Sequence, residues 1–263
     1  MRSGGRLRKW RAFTLIELLV VISIVVLLTS LMLPAFNMIR GGTDFTSTVY
    51  NISSFLDQAR AYAMANNTYV YVGFQEVNVS QSSGASPQAA ATSTVGGRIG
   101  LFAIASSNGV ANLASSGTTS SSFVPLGKLQ YFDNVHLATV AIPGATFPTV
   151  SAFSAPGLVL SGTNLYNIST SGTPLFTYSL GGNSILTPSA TTTAQYSFYN
   201  QSLQFDPQGV PRIVVSGTAG NMAQYIAIGL QQTHGSALPT SDVPQEAAIQ
   251  IDGMSGVNQI YRH

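Results

Sequence analysis

The stretch RAFTLIELLVVISIVVLLTSLMLPAF, Arg11 to Phe36, decides how the rest of the chain is read. From Phe13 onward it holds one charge, Glu17; its other polar side chains are Thr14, Ser23, Thr29 and Ser30. A helix over Phe13–Phe36 would be roughly 36 Å long, enough for a hydrocarbon core of about 30 Å. Arg2, Arg6, Arg8, Lys9 and Arg11 precede it. Cations on one flank keep that flank cytoplasmic, so the remainder is expected across the membrane. A secreted chain's signal peptide also reads basic and then apolar. Here the apolar run is longer than such a segment, and Leu31-Met32-Leu33-Pro34 at its far end offers no small-x-small cleavage site. A carboxylate near apolar surroundings is costly, so Glu17 requires a reason.

Outside this stretch the composition is that of a folded domain with a sparsely charged surface. Charged residues make up 8% of the 263 and hydrophobic residues 45%, against about 25% charged in an ordinary soluble domain. The formal charge of +2 misleads, because five of the eleven basic residues lie in the first twelve positions. The six others, Arg40, Arg60, Arg98, Lys128, Arg212 and Arg262, are dispersed and face nine acids. Nucleic-acid binding by phosphate neutralisation needs a concentrated basic surface, so no nucleic acid is expected as a partner. The chain has no cysteine, which excludes disulfides, thiol catalysis and thiolate metal sites.

Beyond Pro34, Gly41-Gly42 reads as a break. Phe45, Val49, Ile52, Phe55, Leu56, Ala59 and Ala63 then recur at helical spacing. This predicts an amphipathic helix with Thr43 or Asp44 as N-cap, Asn66-Asn67 as its stop, and a sheet against its apolar face. Thr68–Phe74 alternates as a strand. Residues 77–205 contain only Arg98, Lys128 and Asp133 as charged residues. They are read as an expanded β portion with long polar loops. Strands are expected at Gly100–Ala105, Lys128–Phe132 and Gly157–Leu160, with a flexible loop over Gln81–Thr94. Toward the end, Ser202–Val215 reads strand–turn–strand around Asp206-Pro207-Gln208-Gly209. Gln224–Leu230 is a further strand, and Ala247–Tyr261 a final hairpin.

No catalytic constellation emerges. His136, His234 and His263 stand apart and read as loop or solvent residues, with no metal-ligand spacing between them. Glycine doublets lack a P-loop lysine, and Gly-x-Ser-x-Gly is absent. Asp206, Asp242 and Asp252 could join a calcium site only in company with loop carbonyls. No enzyme, cofactor or metal site is therefore expected.

Arg11-Ala12-Phe13-Thr14-Leu15-Ile16-Glu17-Leu18-Leu19-Val20-Val21 resembles the processing motif of type IV prepilins and type II secretion pseudopilins. The resemblance implies cleavage by a prepilin peptidase between Ala12 and Phe13, N-methylation of Phe13, and an apolar helix retained as the packed core of a filament. It implies that Glu17 serves assembly and that Pro34 lies where such helices kink. The family usually has Gly before the Phe, where this chain has Ala12. Leu56–Ala63, followed by a strand, and the final strands with Gly209, Gly253 and Gly256 are similar to the H-type minor pseudopilins.

The implied fold is α+β: a long N-terminal hydrophobic α-helix packed on a C-terminal antiparallel β-sheet or β-sandwich. The expected organisation is a basic leader over 1–12, a transmembrane or filament-core helix over 13–36, an amphipathic continuation over 37–67, and a β-rich domain over 68–263. Expected partners are the membrane, the prepilin peptidase and methyltransferase, and other pilins or pseudopilins. The implied location is the bacterial inner membrane, single-pass, with the globular domain in the periplasm or outside the cell. A membrane-anchored adhesin, or a DNA- or substrate-binding minor pilin, is the alternative. After cleavage Phe13 would bear an ammonium, and Glu17, four residues on, offers it the opposite charge.

Overall fold

The structure is a computed structural model. It describes residues 14–92, 94–111, 123–138, 163–164, 176–178, 195–198, 202–215, 218–219, 222–239 and 245–262, with the side chains of 30–43, 163–164, 177, 215, 218 and 219 set aside. The strand expected at Gly157–Leu160 lies outside the described residues. The chain divides into two units, Met1–Asp44 and Phe45–His263.

Helix α1 is assigned over Leu15–Ala65. It runs through Gly41-Gly42, where the sequence suggested a break, and no N-cap stands at Thr43 or Asp44. Glycine in a helix costs only about 1 kcal/mol relative to Ala, and the buried apolar face from Phe45 onward holds the helix more strongly than that. The stop falls where expected. Asn67 has φ of 49°, and the Thr68 N–H donates to the Ala63 carbonyl at 3.0 Å, closing the helix in a left-handed cap.

Among the described residues fourteen strands follow: β1 (Val70–Asn78), β2 (Gly97–Ser106), β3 (Phe123–Pro125), β4 (Gln130–Asp133), β5 (Val135–Ala138), β6 (Thr163–Asn164), β7 (Phe176–Tyr178), β8 (Tyr196–Phe198), β9 (Ser202–Phe205), β10 (Pro211–Val215), β11 (Thr218–Ala219), β12 (Tyr225–Gln232), β13 (Glu246–Asp252) and β14 (Asn258–Arg262). A seven-stranded sheet has the order β11-β10-β9-β1-β2-β3, with β4 also paired to β2. A five-stranded sheet has the order β14-β13-β12-β5, with β6 beside β12. Strands β7 and β8 form a separate pair. Among the described residues all strand pairings are antiparallel except β6 with β12. The α+β class therefore holds, with an N-terminal helix and a mostly antiparallel β region.

The main core lies between the second half of α1 and the two larger sheets. Phe45, Val49, Ile52, Phe55, Leu56, Ala59 and Ala63 are all buried, as their spacing predicted. They meet Val70, Val72 and Phe74 of β1, Leu101 of β2, and Ile226, Ile228, Ile249 and Ile251 of the five-stranded sheet. Burying each large apolar side chain contributes about 1.5–3 kcal/mol, so this helix face holds the two sheets to one core. Arg60, on the same helix, runs beside the turn glycines Gly209 and Gly256, which fits a helix–turn bridging role.

Strand β1 is buried on both faces. Its other face, with Tyr71 and Val77, joins Phe102, Ile104, Phe123, Phe176, Tyr196 and Phe198 in a second core. The Phe176 and Phe198 rings stack at 4.8 Å between centroids. Glycines make room for them. A Cβ on Gly73 would lie 2.5 Å from Phe176, and one on Gly100 2.4 Å from the Tyr196 ring.

The Tyr196 hydroxyl is buried without a hydrogen-bond partner, and burial pushes its pKa up to about 12. An unfolded chain ionises tyrosine near 10. Stability from this group is therefore complete below pH 10 and is lost as the pH rises from 10 to about 12, by an amount of the order of 2 kcal/mol. Phenolate absorbance should report a late-titrating tyrosine whose ionisation coincides with loss of β structure; ionisation with the sheets intact would contradict this.

Among the described residues two buried charged side chains, Arg98 and Glu76, have a titratable partner. Arg98 of β2 bonds Asp133 of β4 through Nε and, at 3.3 Å, Nη2; its Nη1 donates to the Gln81 carbonyl at 2.9 Å. Two of the three charged residues of the 77–205 region thus satisfy each other. Glu76 of β1 is 4% exposed and lies 2.8 Å from His136 Nδ1 on β5. Its carboxylate also accepts the Gly97 N–H at 2.9 Å and the Leu137 N–H at 3.1 Å. His136 is therefore not a loop or solvent residue as expected but a buried strand residue, because a partner sixty positions away satisfies its ring. The described part of the Gln81–Thr94 segment is loop-like but tethered: the Gln88 N–H donates to the Gln195 carbonyl at 3.0 Å, and the Gln195 amide to the Ser83 carbonyl at 2.7 Å.

Candidate functional site: the amino-terminal helix

The first turn of α1 is closed by Thr14 and Glu17. The Thr14 N–H donates to Glu17 Oε2 at 3.0 Å, and the Thr14 hydroxyl donates to the same oxygen at 2.8 Å. The Glu17 N–H donates back to Thr14 Oγ1 at 3.3 Å. This reciprocal pair is a capping box, in which the carboxylate three residues in satisfies the cap residue's own N–H. The pattern Thr-x-x-Glu was present in the sequence, where Glu17 was read for its charge alone. The carboxylate thus has a role within its own helix. A helix start leaves four N–H groups without intrahelical partners, and leaving them bare is costly where water is excluded.

Behind the cap the helix surface is apolar all round. Leu15 is 87% exposed and Ile16 71%, while Leu18–Ile22 and Ile24–Leu28 range from 49% to 66%. The hydroxyls among them turn inward. Ser23 Oγ donates to the Leu19 carbonyl at 2.8 Å, and Thr29 Oγ1 to the Val25 carbonyl at 2.7 Å. Such back-bonding to the preceding turn leaves the helix satisfied internally. A contiguous exposed apolar surface of this kind marks a partner or membrane site. It can do no acid–base or nucleophilic chemistry; what it offers is a large area to be covered.

Of the residues singled out by sequence, Glu17 falls in this site. Ala12, Phe13 and the five leader cations lie outside the described residues. Pro34 falls within α1, but its side chain and those around it are outside the described set. Among the described residues no helix is long and apolar enough to cross a membrane, so the single-pass span expected over Phe13–Phe36 is not supported. Asp206 and Asp252 each serve a turn: Asp206 Oδ1 accepts the Gln208 and Val210 N–H groups, and Asp252 Oδ1 those of Met254 and Ser255. Asp242 lies outside the described residues. Among the described residues no three His, Asp or Glu side chains gather closely enough to hold a metal ion.

Residues 8–33 match the family model described as the prokaryotic N-terminal methylation motif. The match supports a prepilin-type amino terminus of the kind processed by prepilin peptidase and found on pilin- and pseudopilin-type subunits. No curated protein matches the chain, and no solved structure matches it.

Proposed function

We propose that this chain is a pilin- or pseudopilin-type structural subunit. Prepilin peptidase cuts it between Ala12 and Phe13, Phe13 is N-methylated, and the helix that follows carries the subunit from the bacterial inner membrane into a filament of the type II secretion or type IV pilus kind. Its large, low-charge β-rich unit suits a minor component, of the kind that the H-type pseudopilins it resembles would be. The carrying observation is the methylation motif at residues 8–33, and the exposed apolar helix behind it supplies the surface that assembly would cover.

In this reading Glu17 has two tasks. It caps its own helix through Thr14, and it offers a carboxylate to the ammonium of Phe13, its own or a neighbour's. A buried charge left alone costs several kcal/mol, so satisfying both charges would fix the register of adjacent subunits.

Mass spectrometry of the native protein tests the processing. The expected species starts at Phe13 and carries one added methyl group. Because Trp10 is the single tryptophan, it should also lack indole fluorescence. Recovery of the chain from Met1, or of a chain without the helix, would refute the reading.

Substitutions at Glu17 separate its two tasks. Glu17→Gln keeps an acceptor for the cap but removes the charge; Glu17→Ala removes both, with the cap alone worth about 1 kcal/mol. Both variants are expected to be cleaved normally and to fail to assemble. Normal assembly by Glu17→Gln would reduce the residue to its capping role.

A further inference from the structure

On the five-stranded sheet, the face turned away from the α1 core carries a polar cleft of about 340 Å³ lined by Tyr225, Gln250, Asp252, Ser255, Val257 and Gln259. Its floor follows from strand register. Ala227 of β12, Gln250 of β13 and Gln259 of β14 form one cross-strand row, and Tyr225 and Asp252 begin the next. Residues directly opposite one another share a face, so the row brings the two carboxamides side by side, with Ala227 buried beside them. The rim is the Asp252–Val257 turn. It is pinned by the two N–H bonds to Asp252 Oδ1 and by the Asp252 N–H bond to the Val257 carbonyl at 3.0 Å.

One side chain in this cleft is out of keeping with its surroundings. Gln250 is 3% exposed, and its Oε1 has no hydrogen-bond partner. A buried acceptor left unmade costs about 1–3 kcal/mol, and such groups in native proteins call for an explanation. Beside it, the Gln259 carboxamide is held in place by the Tyr261 hydroxyl, which donates to Gln259 Oε1 at 2.7 Å.

We propose that this cleft binds a neutral carbohydrate. Its groups are uncharged donors and acceptors except for Asp252, and no Lys, Arg or His is among the described lining residues. The turn N–H bonds hold the Asp252 carboxyl below the usual carboxylate range, so it stays ionised and disfavours an anionic ligand. The half-buried Tyr225 ring offers an apolar platform with a polar tip, which suits a sugar ring with one apolar face and a hydroxyl-bearing edge. A ligand hydroxyl would supply the donor that Gln250 Oε1 lacks. The volume falls at the small end of ligand clefts, about 300–1,000 Å³, which fits one or two sugar rings. This inference does not depend on filament assembly.

The test is saturation-transfer NMR on the full chain in detergent, with maltotriose, cellotriose and N,N′-diacetylchitobiose as neutral probes, and with 3′-sialyllactose and calcium chloride as comparisons. At least one neutral probe should receive saturation, and Tyr225→Ala and Gln259→Ala, both at solvent-reached positions, should weaken its binding tenfold or more. Gln250→Leu should abolish binding while leaving the ligand-free melting temperature unchanged or higher, because it removes an unmet acceptor. No transfer to any neutral probe, tighter binding of the sialylated sugar, or a response to calcium alone would overturn the proposal. A lowered melting temperature in Gln250→Leu would do so as well, by making Gln250 a structural residue.

Discussion

Replacing Glu76 by Ala is expected to lower the melting temperature of the β-rich unit by roughly 10 °C, a loss of about 3–5 kcal/mol. The residue is buried and ties β1 of one sheet to β5 of the other. Its carboxylate is the acceptor for the Gly97 and Leu137 N–H groups and the partner of His136 Nδ1. The substitution orphans all three groups at once, and orphaned buried donors cost more than the bonds had contributed. Thermal unfolding followed by circular dichroism measures this. Gly96→Ala offers a check from the other side, because a Cβ there would lie 2.2 Å from Glu76 Oε1 and should force the carboxylate out of place. A melting shift of only a degree or two in Glu76→Ala would mean that water replaces the carboxylate and that the link between sheets is not needed.

Gly253→Ala should be comparably damaging. A Cβ at this position would stand 1.7 Å from the Ala223 carbonyl oxygen and 2.8 Å from that of Gln224. Both are backbone atoms, so no side-chain rotation relieves the overlap. The Gly253 N–H also donates to the Gln224 carbonyl at 2.8 Å, and moving the chains apart breaks that bond where β12 begins. Overpacking of side chains costs about 1–3 kcal/mol; a collision with main chain should reach the top of that range or exceed it. Denaturant unfolding should show a lower midpoint with an unchanged slope. A variant as stable as the parent would show that the β12–β13 end opens at little cost.

Much of the architecture could be read from residue pattern. The seven apolar positions from Phe45 to Ala63 mark one helical face, and all seven are buried, because a repeat of 3.6 admits few other readings. Strands β1, β2, β9, β10, β12, β13 and β14 fall where alternation and turn residues put them. What stayed hidden depends on partners distant in sequence. Nothing local to His136 foretells Glu76, and an isolated histidine in a polar region reads as solvent-facing until its partner is known. Gly73 and Gly100 look like strand weaknesses; only the rings of Phe176, Phe198 and Tyr196 explain them. The capping box was a different kind of miss. Thr14 and Glu17 stand in plain sight at capping spacing, but the expense of a carboxylate beside apolar sequence drew attention to its charge and away from its hydrogen bonds. The cleft around Gln250 was unreadable because it arises from three strands laid side by side.

The central pairing of β1 with β9 joins Val70 to Phe205, and β5 meets β12 across a similarly wide interval. Sheets closed by such distant partners form slowly, since long loops must be gathered before any pairing rewards them. As the chain is made from its amino end, the helix emerges long before the strands that cover it, and neither larger sheet can close until its carboxy-terminal strands arrive. Both larger sheets therefore stay incomplete through most of its synthesis, although β1 and β2 can pair early. Until the carboxy-terminal strands arrive, the apolar face of α1 from Phe45 to Ala63 has no complete sheet to cover it.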